Sequence, residues 1–104
     1  MTMWYDYLIH FAGGLVFANG LPHFVHGISG DKFQSPFASP PGKGLSSPLV
    51  NVVWGFVNFA VGYVLIMLHA VEPRTNADIA AIGLGVLVTG LFLGAHFGKV
   101  KGNA

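Results

Sequence analysis

The sequence contains no cysteine. Disulfides, thiolate metal sites, iron–sulfur clusters and cysteine nucleophiles are therefore excluded. Charge is nearly as scarce. Four acidic and five basic side chains make up 9% of the 104 residues, against about a quarter in a water-soluble domain. So few charged groups cannot cover the surface of a small soluble globule, whose surface-to-volume ratio is unfavourable from the start. A net charge of +1 leaves no basic footprint, and nucleic acid is excluded as a partner. Disorder fails as well, because a chain that is 53% hydrophobic has the reverse of a disordered composition. Also missing are paired intramembrane carboxylates, a dinucleotide fingerprint and a phosphate-binding loop; Gly42-Lys43-Gly44 is too short for the last.

What the chain does have is long apolar runs. A bilayer core roughly 30 Å thick needs about 20 mostly apolar residues per helix. Three stretches meet that length, at about residues 4–27, 49–71 and 77–100, with Asp6, Asp78 and Lys99 at their rims. The fold class predicted is an all-α membrane protein, a single polytopic domain over residues 1–104. The runs are continuous and lack the alternation of barrel strands. No Lys or Arg precedes Trp4, so the first span reads as a retained helix, not a cleavable leader. Trp4, Tyr5 and Tyr7 suit an interfacial aromatic belt.

Basic residues set the expected orientation. Lys32 and Lys43 follow the first span and Lys99 and Lys101 end the third, whereas the second connection holds only Arg74. The positive-inside rule then puts the N-terminus outside and the C-terminus in the cytoplasm, in the inner membrane of a prokaryote.

The connection over residues 28–48 is rich in Pro, Gly and Ser, with Pro36, Pro40, Pro41 and Pro48 opposing regular helix. Phe33 and Phe37 within it are suited to dip into the headgroup region or to cap the bundle. Ser46-Ser47-Pro48 reads as a capped start for the second helix. Residues Glu72 to Asn76 read as a tight turn that makes the second and third helices an antiparallel pair, with Asn76 as cap.

Helical periodicity sorts the small and polar residues into stripes. On the second helix, Asn51, Gly55, Asn58, Gly62, Leu65 and His69 share one face, opposite Val53, Val57, Ala60, Val64, Met67 and Val71. Amides facing acyl chains would have no partners, so the Asn-bearing face is predicted to meet protein or a hydrated cavity. The third helix has two such stripes: Gly83, Leu87, Gly90, Gly94 and Gly98, and opposite them Asp78, Gly85, Thr89 and His96. Two faces that avoid lipid imply two protein neighbours, one of them a second subunit. On the first helix, Pro22 bends the chain, and Asn19-Gly20-Leu21-Pro22 is a candidate break. The stretch from Asn51 to Phe59 resembles the Asn- and Phe-bearing helices of small fluoride channels over this one span. Three spans and a long connection depart from that family's pattern, and no function is carried over.

Five histidines in so small a membrane chain are functional candidates. His23, His26 and His96 form a candidate metal cluster at the inner side, since imidazole is a common ligand for zinc, copper and nickel. His10, Asn19, Asn51, Asn58, His69 and Thr89 make a candidate polar path for protons or a small solute. Haem or pigment ligation is a third reading, although the residues one turn before the histidines are not small. The cofactor is left unknown. Catalysis has little support, because Asp6 and His10 have no serine beside them and all five serines after the first span lie on the other side.

The function predicted is association within the bilayer, as a homo-oligomer or an accessory subunit of a larger membrane complex. Its interfaces are Gly55 and Gly62 on the second helix and Gly83, Gly90, Gly94 and Gly98 on the third. A His/Asn-lined conduit or carrier is the alternative, and a haem- or pigment-binding electron-transfer subunit the second alternative.

Overall fold

The computed structural model describes residues 2–68 and 75–103. His69, Val71, Glu72 and Arg74 of the readings above lie outside them. Three long helices dominate: α1, Trp4–Ile28; α2, Pro48–Leu68; and α3, Asn76–Val100. All three are long and apolar enough to cross a membrane. Between α1 and α2 a two-residue strand β1, Phe33–Gln34, pairs antiparallel with β2, Leu45–Ser46, in the register Phe33 to Ser46 and Gln34 to Leu45.

Local chemistry fixes the helix starts. The Asp6 carboxylate accepts from Met3 N–H at 2.8 Å and so ties down the first turn of α1. Ser47 Oγ accepts from Val50 N–H at 3.2 Å, with Pro48 as the first helical residue of α2. The cap of α3 is Thr75, whose hydroxyl accepts from Asp78 N–H at 3.1 Å. That corrects the expected cap at Asn76, which is already helical.

Helix α1 is central. Both other helices pack on it and make little contact with each other. The expected pairing of α2 with α3 is therefore replaced by two separate interfaces with α1, and the reason lies in where the small residues fall. On one side of α1, Gly13, Gly20 and Gly27 recur every seven residues and meet α2 running the other way. A Cβ on Gly13 would lie 3.1 Å from the Gly62 carbonyl, one on Gly20 2.6 Å from that of Gly55, and one on Gly27 2.7 Å from that of Pro48. Only glycine permits so close an approach of two backbones. On the adjacent side, Gly14 touches the Ile82 backbone, while Gly85 of α3 touches that of Phe11. Helices α1 and α3 run parallel, so both put their C-terminal ends beside the β1–β2 connection. Helix α1 continues through Pro22, and the candidate break at Asn19–Pro22 is not formed.

The distribution of side chains is inverted relative to a soluble protein. Asp6, His10, His23, Gln34, Ser35, Asn51, Asn58, Asp78 and Thr89 are buried, whereas the buried hydrophobic residues among those described are Ala18 and Phe33. Val53, Val57, Val64 and Met67 of α2 are exposed. Helix α3 exposes Ile79, Leu84, Leu87, Leu91 and Phe92.

The connection is built on Phe33. Its ring stacks on His26 at 4.3 Å between centroids and meets Phe97 at 4.8 Å and His23 at 5.4 Å. Lys101 Nζ lies 4.9 Å over the ring. Phe33 thus plugs the end of the bundle, and Phe37 packs edge-on against Trp54.

Candidate functional site

Polar side chains meet at three levels along α1. Towards its N-terminus, His10 Nδ1 pairs with the Asp78 carboxylate, and neither side chain is exposed. The sequence reading put Asp6 beside His10 and Asp78 at a rim. The parallel packing of α1 and α3 instead brings residues 10 and 78 to one level, while Asp6 turns to the backbone of Met3. Further along, Thr89 Oγ1 donates to the Leu15 carbonyl at 3.2 Å. The third level is the richest. Asn19 Nδ2 donates to Asn58 Oδ1 at 3.0 Å, and Asn58 Nδ2 donates to the Trp54 carbonyl at 2.8 Å. One turn on, His23 Nδ1 meets Asn51 Oδ1 at 2.9 Å.

Asn51 is the organising residue at this end. Its Nδ2 faces three carbonyls, Phe33 and Ser46 at 3.2 Å and Ser47 at 3.1 Å. One wholly buried amide therefore ties α2, the β1–β2 connection and α1 together. From the other side, His96 Nε2 meets the Gly42 carbonyl at 2.9 Å and fastens the connection to α3.

These elements form an open cavity of about 170 Å³ between the helix ends and the connection. Polar residues Asn19, His23, Gln34, Ser35 and His96 line it together with Trp54, and Leu93 and Phe97 supply apolar wall. Gln34 Oε1 and Trp54 Nε1 are buried and have no hydrogen-bond partner among the described residues. Sequence reasoning found Asn19, His23 and His96 from their helical faces. It missed Gln34, Ser35 and Trp54, because the first two lie in a connection without periodicity and a tryptophan in an apolar run reads as lipid-facing.

The other candidates divide as follows. Gly55 and Gly62 meet α1 of the same chain, so that face is occupied and does not join a second subunit as expected. Gly83, Gly90 and Gly94 have nothing among the described residues within 4 Å of where a Cβ would stand, and Gly98 is half-buried. His23, His26 and His96 do not converge. Phe33 stands against both His23 and His26, whose Nδ1 lies 3.7 Å from Asp31 instead. Among the described residues no three His, Asp or Glu side chains come together as a metal site. The polar path is also interrupted: Gly13 against Gly62 and Gly14 against Ile82 fill the layer between His10 and Asn19. The cavity among the histidines is far too small for a tetrapyrrole. A larger apolar groove of about 590 Å³, lined by Phe37, Leu49, Val50, Val53, Trp54 and Val57, has no histidine on its walls.

Comparison of the chain with protein-family models, with curated proteins and with solved structures finds no match.

Proposed function

We propose that this chain is a small integral membrane protein that acts by lateral helix association, as a homo-oligomer or as an accessory subunit of a larger membrane complex. The observation that carries this reading is the open glycine face of α3. Every glycine that packs α1 against α2 is in backbone contact, but at Gly83, Gly90 and Gly94 nothing among the described residues lies within 4 Å of where a Cβ would stand. Glycine in an exposed helix interior costs about 1 kcal/mol relative to alanine. Three of them cost about 3 kcal/mol, and among the described residues no close helix approach offsets it. A neighbouring helix approaching closely along that face does. Gly90 and Gly94 also floor an apolar groove of about 350 Å³, walled by Ala18, Leu21 and Pro22 of α1 and by Val86, Leu93 and Phe97 of α3. Such a groove has the form of a seat for a partner helix.

Orientation follows from the ends. Lys32 and Lys43 of the connection share one end of the bundle with Lys99 and Lys101 of α3, which supports a cytoplasmic placement of that end in a prokaryotic inner membrane.

Gly94→Leu tests the association. A Cβ at that position has no described residue within 4 Å, so the larger side chain projects into the groove without displacing backbone, and circular dichroism checks that helicity is kept. Native mass spectrometry from the protein's own membrane is expected to show loss of the oligomer or of the co-purifying partner. An unchanged assembly places the interface elsewhere. A second reading, a carrier for a small polar solute, draws on the cavity at the connection end.

A further inference from the structure

From the Gly42-Lys43-Gly44 turn and the end of α3 against which it is fastened, we infer that this protein binds an anionic phospholipid, its phosphate between Lys43 and Lys99 and an acyl chain laid along α3. The turn holds its lysine in a fixed place. Gly42 has φ +74°, and a Cβ on Gly44 would lie 2.5 Å from the Ser39 carbonyl oxygen, so both residues flanking Lys43 have to be glycine. Gly42 N–H donates to the Ser35 carbonyl at 2.9 Å, and the N–H groups of Lys43 and Gly44 donate to that of Pro40 at 3.1 and 2.8 Å. His96 Nε2 donates to the Gly42 carbonyl at 2.9 Å and ties the turn to α3. Lys43 and Lys99 consequently line one open hollow, together with His96 and Val100. Neither lysine has a carboxylate partner among the described residues, and Asp31 of the connection lies beside His26 instead. Two uncompensated ammonium groups at the rim of an apolar helix attract an anion.

The backbone and the neighbouring surface narrow the kind of anion. With the amides of residues 42–44 spent on Ser35 and Pro40, the turn offers no nest of N–H groups of the sort that holds a free phosphate or a nucleotide. Contact is left to lysines, which act on a phosphate as point charges. The rest of the affinity comes from a second open hollow, which shares His96 and Lys99 with the first and continues along Phe92 and Ala95. These four residues follow i, i+3, i+4, i+7 spacing on one face of α3, and the Phe92 ring lies parallel to the His96 imidazole. From Lys99 to Phe92 the helix runs roughly 10 Å, from the charged rim into its apolar length. Cations above an exposed apolar strip match a phospholipid, phosphate at the rim and acyl chain below. A zwitterionic headgroup brings its own cation to the lysines, whereas an anionic one does not. The inference rests on the membrane placement of the chain and not on its association, because this face of α3 points away from Gly90 and Gly94 by helical spacing.

Native mass spectrometry of the full chain in detergent, titrated with phosphatidylglycerol or with phosphatidylcholine of identical acyl chains, tests the assignment. One phosphatidylglycerol per chain should be retained in preference to phosphatidylcholine. Lys43→Gln and Lys99→Gln should each weaken that retention about fivefold, the worth of one basic residue at an anionic surface. Lys32→Gln, which does not line the hollow, should leave it unchanged. Ala95→Phe fills the lower hollow at constant charge and should displace the lipid. All four substituted side chains are exposed, and circular dichroism checks helicity. The comparison of the two lipids on the unaltered chain stands whatever the variants do. Equal retention of both lipids overturns the inference. So does a loss in Lys32→Gln equal to that in Lys43→Gln, which would mean diffuse attraction, or full retention in folded Ala95→Phe. Glycerol phosphate bound as tightly as the lipid would overturn it too, since no acyl chain would then be recognised. Lipid adducts are counted per chain, so a failure of the association leaves this test intact.

Discussion

Asn51 shows how much of this structure depends on single polar side chains. It is wholly buried, and its amide bridges three carbonyls and the His23 ring. Replacing it with leucine leaves the His23 N–H and the carbonyls of Phe33, Ser46 and Ser47 without this partner. A buried group deprived of its partner costs about 1–3 kcal/mol. Asn51→Leu should therefore lower stability in micelles by about that amount and speed hydrogen exchange of the amides over residues 33–46, with α3 little affected. Unchanged exchange in that segment would show that the connection is held by its other ties, the Phe33 cluster and the His96–Gly42 contact among them. The buried character of Asn51 was legible in the sequence, because an amide among apolar residues at helical spacing has to face protein. Its partners were not. Which backbone carbonyls come within reach depends on how a connection of nineteen residues folds back, and no periodicity records that. The His10–Asp78 pair was hidden for a related reason: the level of one helix against another is set by the close packing of Gly14 and Gly85, not by either helix alone.

At the scale of elements, two kinds of glycine have opposite consequences. Gly20 lies against the Gly55 carbonyl, so Gly20→Val forces α1 and α2 apart. Overpacking of this kind costs about 1–3 kcal/mol. Gly83 has open space around it, and Gly83→Ala in the isolated chain should be neutral or stabilising by up to about 1 kcal/mol through helix propensity. Unfolding of both variants in one detergent, followed by circular dichroism, separates them; equal effects would contradict the packing described here. The sequence places all these glycines in stripes but does not say which stripe is filled. Composition makes the Gly55/Gly62 face of α2 and the Gly90/Gly94 face of α3 look equivalent. The difference arises from α1, whose Gly13, Gly20 and Gly27 recur at intervals of seven residues and match Gly62, Gly55 and Pro48 in reverse order. A pairwise comparison of stripes between helices, rather than each wheel in isolation, contains that signal.

For the whole molecule, the inverted distribution of side chains is the governing fact. Aspartate, histidine and asparagine fill the interior, while valine, leucine and phenylalanine cover the exterior. In water such a particle would expose its apolar surface; in hydrocarbon that surface is matched and the polar groups keep partners inside the bundle. The same inversion makes orientation a testable matter. Helices α1 and α3 run parallel, so Lys32, Lys43, Lys99 and Lys101, four of the five basic residues of the chain, gather at one end, the end that the positive-inside rule would keep in the cytoplasm. The absence of cysteine permits single-site labelling without a background thiol. In intact cells a membrane-impermeant maleimide should react with Thr2→Cys, and with Ser39→Cys only after the membrane is permeabilised. Ser39 is exposed and lies in the connection, whereas Thr2 precedes α1 and is exposed at the other end. The reverse pattern would invert the orientation, and labelling of both sites in intact cells would mean that α1 does not separate two aqueous compartments.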